Sequence, residues 1–459
     1  MENEVLRSLP QIEKVLQSPV IQRWFPVLSR PLVSRIASSV MDELKASLLQ
    51  GNNPTNGLGV YSPGAYAFGE VLHAIDSKCR EFSRKRIIKV INATGIILHT
   101  NLGRTPIAAS AWNTAVTVNT GYSNLEFDLS TGKRGQRNGI IPELFSLLLG
   151  SEASLVVNNN AAAVFLMLSA CAEGKEVIVS RGEQIQIGGG FRLPEILALS
   201  RARLVEVGTT NITTLKDYIQ AITSQTAMVL IVHTSNFKIR GFTQTPSIDE
   251  IANALPGHII LAVDQGSGTT TENIPGEKAV KYYLKHGAHL VSFSADKILG
   301  GPQAGVIAGR EALVKSLSSH PLMRVFRPGK TIYSILEECL VEKLNDSNLS
   351  PVERIISLPL QELKKRGRNV LRGISAAKAR LVPSTLSTGG GSAPDETFPS
   401  FSIEICIDDK AERVLQLLRE NSPPIIGTIS DGRVRLNLAT IEPEELSRVK
   451  AALKEILGE

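Results

Sequence analysis

The chain has few cysteines and no long apolar run, and both features limit the classes of protein to which it can belong. Its four cysteines lie far apart in 459 residues: Cys79, Cys171, Cys339 and Cys406. No Cys-x-x-Cys pair is present, which argues against a disulfide framework and a zinc site and fits a reducing compartment. The longest apolar stretch, around Ala161 to Ala172, is too short to cross a bilayer of about 30 Å. The first eight residues carry two acids and do not resemble a secretory signal. We therefore expect a soluble cytoplasmic protein.

The remaining composition is that of an ordinary globular protein, with 42% hydrophobic and 20% charged residues. The net charge is +6, and most of it lies in residues 1–90, where twelve lysines and arginines face eight acids. Six of these bases fall in one short stretch: Lys78, Arg80, Arg84, Lys85, Arg86 and Lys89. A second cluster comprises Lys364, Lys365, Arg366, Arg368 and Arg372. Each cluster is either a solvated helix face or a contact for an anionic partner.

Patterning divides the chain into three regions. Residues 1–77 show apolar residues at helical spacing, as in Ile12, Val15 and Leu16, and a loop rich in glycine and asparagine at Gly51 to Gly64. We predict a small N-terminal helical domain there. Residues 346–459 predict a smaller α+β domain, with a loop at Ser387 to Pro394. That loop precedes predicted strands at Phe401–Ile407 and Arg433–Leu438 and helices at Ala411–Asn421 and Pro443–Leu457.

Residues 78–345 alternate short apolar strands with helical stretches. The predicted strands are Ser154–Asn158, Glu176–Ser180, Arg203–Val207, Met228–His233, His258–Asp264 and His289–Ser294. Helices are predicted between most of them, for example at Leu215–Ile222 and Glu277–His286. Continuous apolar strands that alternate with helices are typical of a parallel sheet covered on both faces. The predicted fold class is therefore α/β, with a mostly parallel sheet in the large domain.

Open parallel sheets bind ligands at the carboxyl ends of their strands, and those ends carry polar residues here. One strand ends at Asp264, the next ends at Ser294 and is followed by Asp296 and Lys297, and an earlier one runs through Asn158 into a helix. Asp264 and Lys297 are separated by one helix and one strand, so neighbouring strands can bring them together. This edge therefore combines an acid, a lysine and a helix N-terminus.

Pyridoxal 5′-phosphate (PLP) requires these three partners. A buried lysine binds the cofactor through its amine, and an acid keeps the ring nitrogen protonated. Backbone N–H groups at a helix start hold the phosphate. The predicted cofactor-binding residues are Lys297, Asp264, Asn159, Asn160, Ala161 and Ser294. Each residue alone is also compatible with a surface turn or a helix cap. The histidines show no metal-ligand spacing, so no metal site is predicted.

Several longer motifs resemble those of the bacterial selenocysteine synthases, the L-seryl-tRNA(Sec) selenium transferases. They include Ile91-Asn-Ala-Thr-Gly-Ile-Ile-Leu-His-Thr-Asn-Leu-Gly-Arg104, Val156-Val-Asn-Asn-Asn-Ala-Ala-Ala-Val164, Ser180-Arg-Gly-Glu183, Val207-Gly-Thr-Thr-Asn211, His233-Thr-Ser-Asn236 and Phe293-Ser-Ala-Asp-Lys-Ile-Leu-Gly-Gly-Pro-Gln-Ala-Gly305. The resemblance extends to both ends, at Leu9 to Ser18 and Pro423 to Ile429. It therefore covers essentially the whole chain.

The resemblance implies a fold-type-I PLP transferase with a large α/β domain, a small C-terminal domain and an N-terminal tRNA-binding domain. It implies conversion of seryl-tRNA(Sec) to selenocysteinyl-tRNA(Sec), by β-elimination of water and addition of selenium from selenophosphate. Lys297 is then the PLP lysine and Asp296 assists proton transfer. Arg104, Arg324 and Arg327 match positions implicated in binding the donor anion, a task that suits the planar guanidinium group. The family forms homo-oligomers, typically a pentamer of dimers.

The chain departs from the family pattern after Arg137, where it reads Asn138-Gly-Ile-Ile141 instead of Tyr-Ser-His and an acid. This departure bears on the substrate more than on the cofactor. An alternative is therefore a PLP lyase or transferase of the same fold that acts on a small amino acid or a phosphorylated amino sugar acid. A third possibility is a non-catalytic tRNA-binding protein, against which the retained Asp264, Asp296 and Lys297 argue.

Overall fold

A computed structural model of the chain describes residues 10–49, 68–184, 186–187, 190–234, 237–345, 350–407 and 409–459. The chain divides into two compact units, Met1–Lys89 and Val90–Glu459. The predicted loop at Gly51 to Gly64 lies outside the described residues, as do Leu9, Ser235 and Asn236 of the motifs above. No helix within the described ranges has both the length and the apolar character needed to cross a bilayer.

The described part of the first unit is helical. Its helices are α1 (Ile12–Leu16), α2 (Pro19–Gln22), α3 (Phe25–Leu28), α4 (Arg30–Leu49) and α5 (Phe68–Ser83). Val15, Leu16 and Ile36 are buried in its core, as their helical spacing indicates. The predicted domain boundary after residue 77 falls inside α5, and the compact unit extends to Lys89 instead. The amphipathic pattern of α5 continues across that boundary because one face packs on α4.

The second unit contains a seven-stranded sheet of order β4-β12-β11-β10-β9-β5-β8 within the described residues. Its strands are β4 (Ala153–Val157), β5 (Glu176–Ser180), β8 (Arg203–Val207), β9 (Thr226–Val232), β10 (Ile260–Gly266), β11 (Leu290–Ser294) and β12 (Gly305–Gly309). Strands β8, β5, β9, β10 and β11 are parallel, whereas β12 is antiparallel to both of its neighbours. The six predicted strands are confirmed, and β12 is an addition that the pattern did not predict.

Helices cover both faces of this sheet. They are α6 (Ala109–Thr120), α7 (Ile141–Leu149), α8 (Asn160–Ala172), α9 (Leu193–Leu199), α10 (Leu215–Gln220), α11 (Ile248–Ala254), α12 (Val280–Lys285), α13 (Glu311–Ser319), α14 (Met323–Phe326) and α15 (Lys330–Asn345). Alternate strand residues enter different cores: Leu261 and Val263 pack with α11 and α12, and Ala262 packs with α8. The burial of both faces explains why these strands are continuously apolar.

Short strand pairs accompany the sheet: β2 (Phe127–Asp128) with β3 (Lys133–Arg134), and β6 (Gln186–Ile187) with β7 (Phe191–Arg192). The sequence pattern predicts residues 91–98 to belong to the large domain. Their strand β1 (Ile91–Asn92) instead pairs with β15 (Ile425–Ile426), and Ile91, Ile97 and Leu98 are buried in the C-terminal core. The division of Val90–Glu459 at residue 345 stays a prediction.

The C-terminal lobe has a four-stranded antiparallel sheet of order β13-β14-β17-β16. Its strands are β13 (Ala379–Gly389), β14 (Ser392–Ile405), β16 (Thr428–Ser430) and β17 (Arg433–Asn437). Its helices are α16 (Pro351–Ile356), α17 (Leu360–Leu371), α18 (Ala411–Glu420) and α19 (Leu446–Leu457). The predicted loop at Ser387 to Pro394 is wrong: most of it belongs to the β13–β14 hairpin. Its glycines Gly389 and Gly390 have positive φ and close the turn.

Candidate active site

The carboxyl end of β10 meets the start of α8, as the strand order requires. Asp264 is 4% exposed, and its Oδ1 accepts a hydrogen bond of 2.7 Å from Asn160 Nδ2. Asp264 also pairs in register with Ser292 on the parallel strand β11. The neighbouring strands therefore bring the acid beside the segment that leads to Lys297, as predicted.

Lys297 follows β11 and is 5% exposed. The hydroxyl of Thr105 donates to its carbonyl oxygen over 2.8 Å and fixes the backbone at this point. Burial lowers the pKa of the Lys297 amine, and the charge of Arg104 lowers it further, against the opposing charges of Asp264 and Asp296. A buried amine with a lowered pKa is more readily deprotonated and nucleophilic, which PLP attachment requires.

Asp296 lies beside the lysine and is held by Arg104. The Arg104 Nη1 atom donates to Asp296 Oδ2 over 2.6 Å, and only 12% of the Asp296 side chain is exposed. Arg104 has a φ of +64°, in the left-handed region that side chains other than glycine rarely adopt. Residues at sparsely populated backbone angles concentrate at functional sites. The structure thus brings Arg104, Asp296 and Lys297 together.

A backbone cradle is present where β4 passes into α8. Asn159 caps the helix, since its side chain accepts from Ala162 N at 2.8 Å. The first-turn N–H groups of Asn160 and Ala161 lack intrahelical partners and can bind an anion. Gly305 of β12 approaches so closely that a Cβ there would lie 2.1 Å from the Asn159 carbonyl oxygen. Ser294, 7% exposed, ends the adjacent strand β11.

Arg324 lies in α14, and Arg327 directly follows that helix. Both line a cavity of about 630 Å³ together with Arg137 and His320. The backbone N–H of Asn158 donates to the Phe326 carbonyl over 2.8 Å, which ties this turn to the end of β4. Arg104 is not among the described residues that line this cavity, and its guanidinium contacts Asp296 instead.

Sequence reasoning assigned no role to Glu277, whose side chain is fully buried. Its Oε2 accepts from the Ser267 hydroxyl over 2.7 Å and lies 3.2 Å from His233 Nε2. Its Oε1 accepts from the backbone N–H of Ala393 over 2.6 Å, in the C-terminal hairpin. Glu277 thus links the catalytic sheet to the C-terminal lobe. No sequence pattern indicates this contact, because Glu277 lies at the start of a predicted helix of ordinary amphipathic character.

The residues at this edge fit PLP. The Oδ1 atom of Asn160 is buried, and no described residue donates a hydrogen bond to it. Burial raises the pKa of Asp264, opposed by the hydrogen bond from Asn160 and the charge of Lys297. A protonated ring nitrogen beside Asp264 would supply a further stabilising charge. The described residues contain no group of three or more metal-ligating side chains placed to hold an ion.

The fold and these side chains define the class: the chain has the α/β fold of the fold-type-I PLP-dependent transferases. A solved D-glucosaminate-6-phosphate ammonia-lyase superposes with a TM-score of 0.58, over 81% of this chain and 96% of that one, at 20% sequence identity. At this identity the likeness shows the fold alone.

The family follows from sequence comparison. The L-seryl-tRNA selenium transferase family model matches residues 90–442. The L-seryl-tRNA(Sec) selenium transferase of Carboxydothermus hydrogenoformans is 38% identical and that of Geotalea daltonii 35% identical, each over 99% of both chains. The chain belongs to the L-seryl-tRNA selenium transferase family.

Proposed function

We propose that this protein is the PLP-dependent enzyme that converts seryl-tRNA(Sec) to selenocysteinyl-tRNA(Sec), with selenophosphate as the selenium donor. The observation that carries the proposal is the buried Lys297 beside Asp264 and the Arg104–Asp296 pair, in a chain that matches transferases of this name over nearly its full length. In the proposed reaction the serine hydroxyl leaves Cβ as water, selenium takes its place, and phosphate is released from the donor.

When bound, PLP supplies an electron sink for the charge that develops at the serine Cα. Lys297 holds the cofactor and moves the Cα proton, since its lowered pKa suits general base catalysis. Asp264 keeps the ring nitrogen protonated, and Asn160 orients Asp264. Asp296, fixed by Arg104, assists proton transfer at the leaving hydroxyl. Asn159, Ala161 and Ser294 hold the cofactor phosphate.

Arginines are proposed to bind the donor anion. Arg324 and Arg327 belong to a cavity that no acidic residue of the described chain lines, so a phosphate-bearing ligand gains charge-assisted hydrogen bonds there. Arg104 is proposed to contact the donor from the lysine side. The Asn158–Phe326 hydrogen bond supports this assignment, because it fixes the arginine turn to the strand that leads into the cofactor cradle.

The N-terminal unit is proposed to bind the tRNA. Arg84, Lys85 and Arg86 are exposed at the end of α5 and can contact phosphates. An aminoacyl-tRNA substrate places the proposed activity in the cytoplasm.

We further propose a dimer-based homo-oligomer, a decamer by family resemblance. Exposed apolar side chains between residues 112 and 147, such as Trp112, Tyr122 and Leu147, support a subunit interface.

The test begins with the absorbance of purified protein after addition of PLP. Wild type is expected to show the visible band of bound PLP, and Lys297→Ala is expected to lose it. Lys315→Ala, which removes an exposed lysine on α13, is the control and should retain the band. Seryl-tRNA(Sec) should then perturb the band, and selenophosphate should yield selenocysteinyl-tRNA.

Two results would contradict the proposal. A band that responds to small amino acids but not to seryl-tRNA(Sec) would favour the small-substrate lyase or transferase. The absence of any band after PLP addition would exclude both enzymes and favour a tRNA-binding scaffold.

A further inference from the structure

The cavity that contains Arg324 and Arg327 is cationic. Arg137, Arg324, Arg327 and His320 contribute to its lining, and no aspartate or glutamate among the described residues does. The charges of Arg137 and Arg327 also reach buried Tyr333, whose pKa burial raises to about 12 against their lowering effect. These arginines therefore act on the same small volume and share one potential ligand.

Two of these arginines are joined by a single carboxylate. Glu126 Oε1 accepts from Arg137 Nε over 2.7 Å and from Arg327 Nη1 over 3.3 Å. Its Oε2 accepts from Arg134 Nη2 over 3.5 Å. Arg137 is further fixed by a 3.0 Å hydrogen bond from Nη1 to the Pro328 carbonyl. The hydrogen bond from Arg137 lowers the pKa of Glu126, so the carboxylate is ionised at neutral pH.

Glu126 is not among the residues that line the cavity. It therefore contacts the two guanidinium groups from outside and does not occupy the ligand volume. Two guanidinium groups at one site repel each other, and a shared carboxylate offsets that repulsion. Because each guanidinium has five donors, the groups that Glu126 and Pro328 do not use remain for a ligand. Such a contact fixes the distance between the two cations before any anion arrives.

Other groups of the cavity lack partners. The guanidinium group of Arg324 makes no hydrogen bond or ion pair with any described residue, and the buried Ser154 Oγ has none either. A buried hydroxyl without a partner is uncommon in folded proteins and calls for a ligand or water. A polar ligand in this cavity can therefore supply the hydrogen bonds that the side chains of Arg324 and Ser154 lack.

We propose that Glu126 is a positioning residue that holds Arg137 and Arg327 in the geometry required to bind a small oxyanion in this cavity. The inference rests on the proposed function only for the identity of that anion as the selenium donor. It leads to a result that charge alone does not predict. Removal of a carboxylate should strengthen anion binding if only net charge matters, whereas removal of a positioning carboxylate should weaken it.

The probe is inorganic phosphate, titrated calorimetrically into the PLP-loaded full-length protein at fixed ionic strength. Loading with PLP keeps phosphate out of the cofactor's own cradle. Glu126→Ala is expected to weaken phosphate binding about tenfold, the scale of one charge-assisted hydrogen bond. The phosphate affinity of Glu126→Gln should lie between those of wild type and Glu126→Ala, because the glutamine amide oxygen still accepts a hydrogen bond. Glu143→Ala is the matched control: it removes an exposed acid at the start of α7 and should leave affinity unchanged or slightly higher.

Further readouts separate positioning from general stability. The PLP absorbance and Tm of Glu126→Gln should match wild type, while its KM for selenophosphate rises and kcat is retained. Arg324→Ala should also weaken phosphate binding and so assign the site to this cavity. If Glu126→Ala and Glu126→Gln bind phosphate as tightly as wild type or more tightly, the positioning role is wrong. No phosphate binding by wild type also overturns it. Phosphate binding does not require turnover of seryl-tRNA(Sec). A failure of the proposed function is therefore distinguishable from a failure of the positioning role.

Discussion

The close approach of β12 to the start of α8 makes Gly305→Ala an informative perturbation. An alanine Cβ at this position would lie 2.1 Å from the carbonyl oxygen of Asn159 and 2.8 Å from the backbone nitrogen of Asn160. Contacts below 3.0 Å are essentially never observed for Cβ atoms, so the backbone of one segment must move by roughly 1 Å. That movement displaces the cap of α8 and the Asn160 side chain that contacts Asp264.

The expected result is weaker binding of PLP. Displacement of a binding group by about 1 Å can reduce catalytic efficiency on the order of a hundredfold, and we expect a loss of this size in PLP affinity. The assay titrates PLP into the cofactor-free protein and follows the absorbance of the bound form. Because the defect lies in the cradle, saturating PLP should restore much of the seryl-tRNA(Sec) turnover.

Gly309→Ala provides the matched control on the same strand. Its Cβ would lie 2.1 Å from the His289 carbonyl oxygen, an equally severe contact at the other end of β12. Both variants should lower Tm to a similar extent, and only Gly305→Ala should lose PLP affinity. Equal PLP affinity in Gly305→Ala and wild type, or equal losses in both variants, would refute the assignment of the cradle to Asn159 and Asn160.

Three further predictions concern charge. Burial and then the charge of Arg104 lower the pKa of Lys297, so Arg104→Gln should raise that pKa and shift PLP loading to higher pH. An unchanged pH profile of PLP loading, followed by absorbance, would contradict this. Burial raises the pKa of Glu183 from 4.5 to about 8, so its contribution to stability is complete below pH 4.5 and lost as pH rises through about 8. The Tm of wild type should therefore fall more across that interval than the Tm of Glu183→Gln, and parallel curves would exclude the shift. Arg84→Ala combined with Arg86→Ala should reduce the slope of log K for tRNA binding against log salt concentration by about 0.9 per lost phosphate contact. Filter binding measures this slope, and an identical slope in wild type and the double variant excludes these contacts.

Much of the large sheet was predictable because its strands are buried on both faces. The short apolar runs that end at Val207, Asp264 and Ser294 predict strands, and the structure confirms all three. The prediction failed at Ser387–Pro394, where three consecutive glycines suggested a loop instead of a hairpin turn. Cross-strand pairing of β13 with β14 decides that conformation, and local composition does not encode pairing.

The order of residues along the chain establishes the local chemistry: an acid at the end of β10, a lysine after β11 and a helix start after β4, in an order that fits PLP. Strand alternation sufficed for this, because the carboxyl ends of parallel strands meet at one edge. Which side chains touch depends on the packing of the folded chain. Arg104 pairs with Asp296, 192 residues away, and Glu126 contacts arginines up to 201 residues away. Such contacts arise from the packing of distant segments, which no spacing along the chain records.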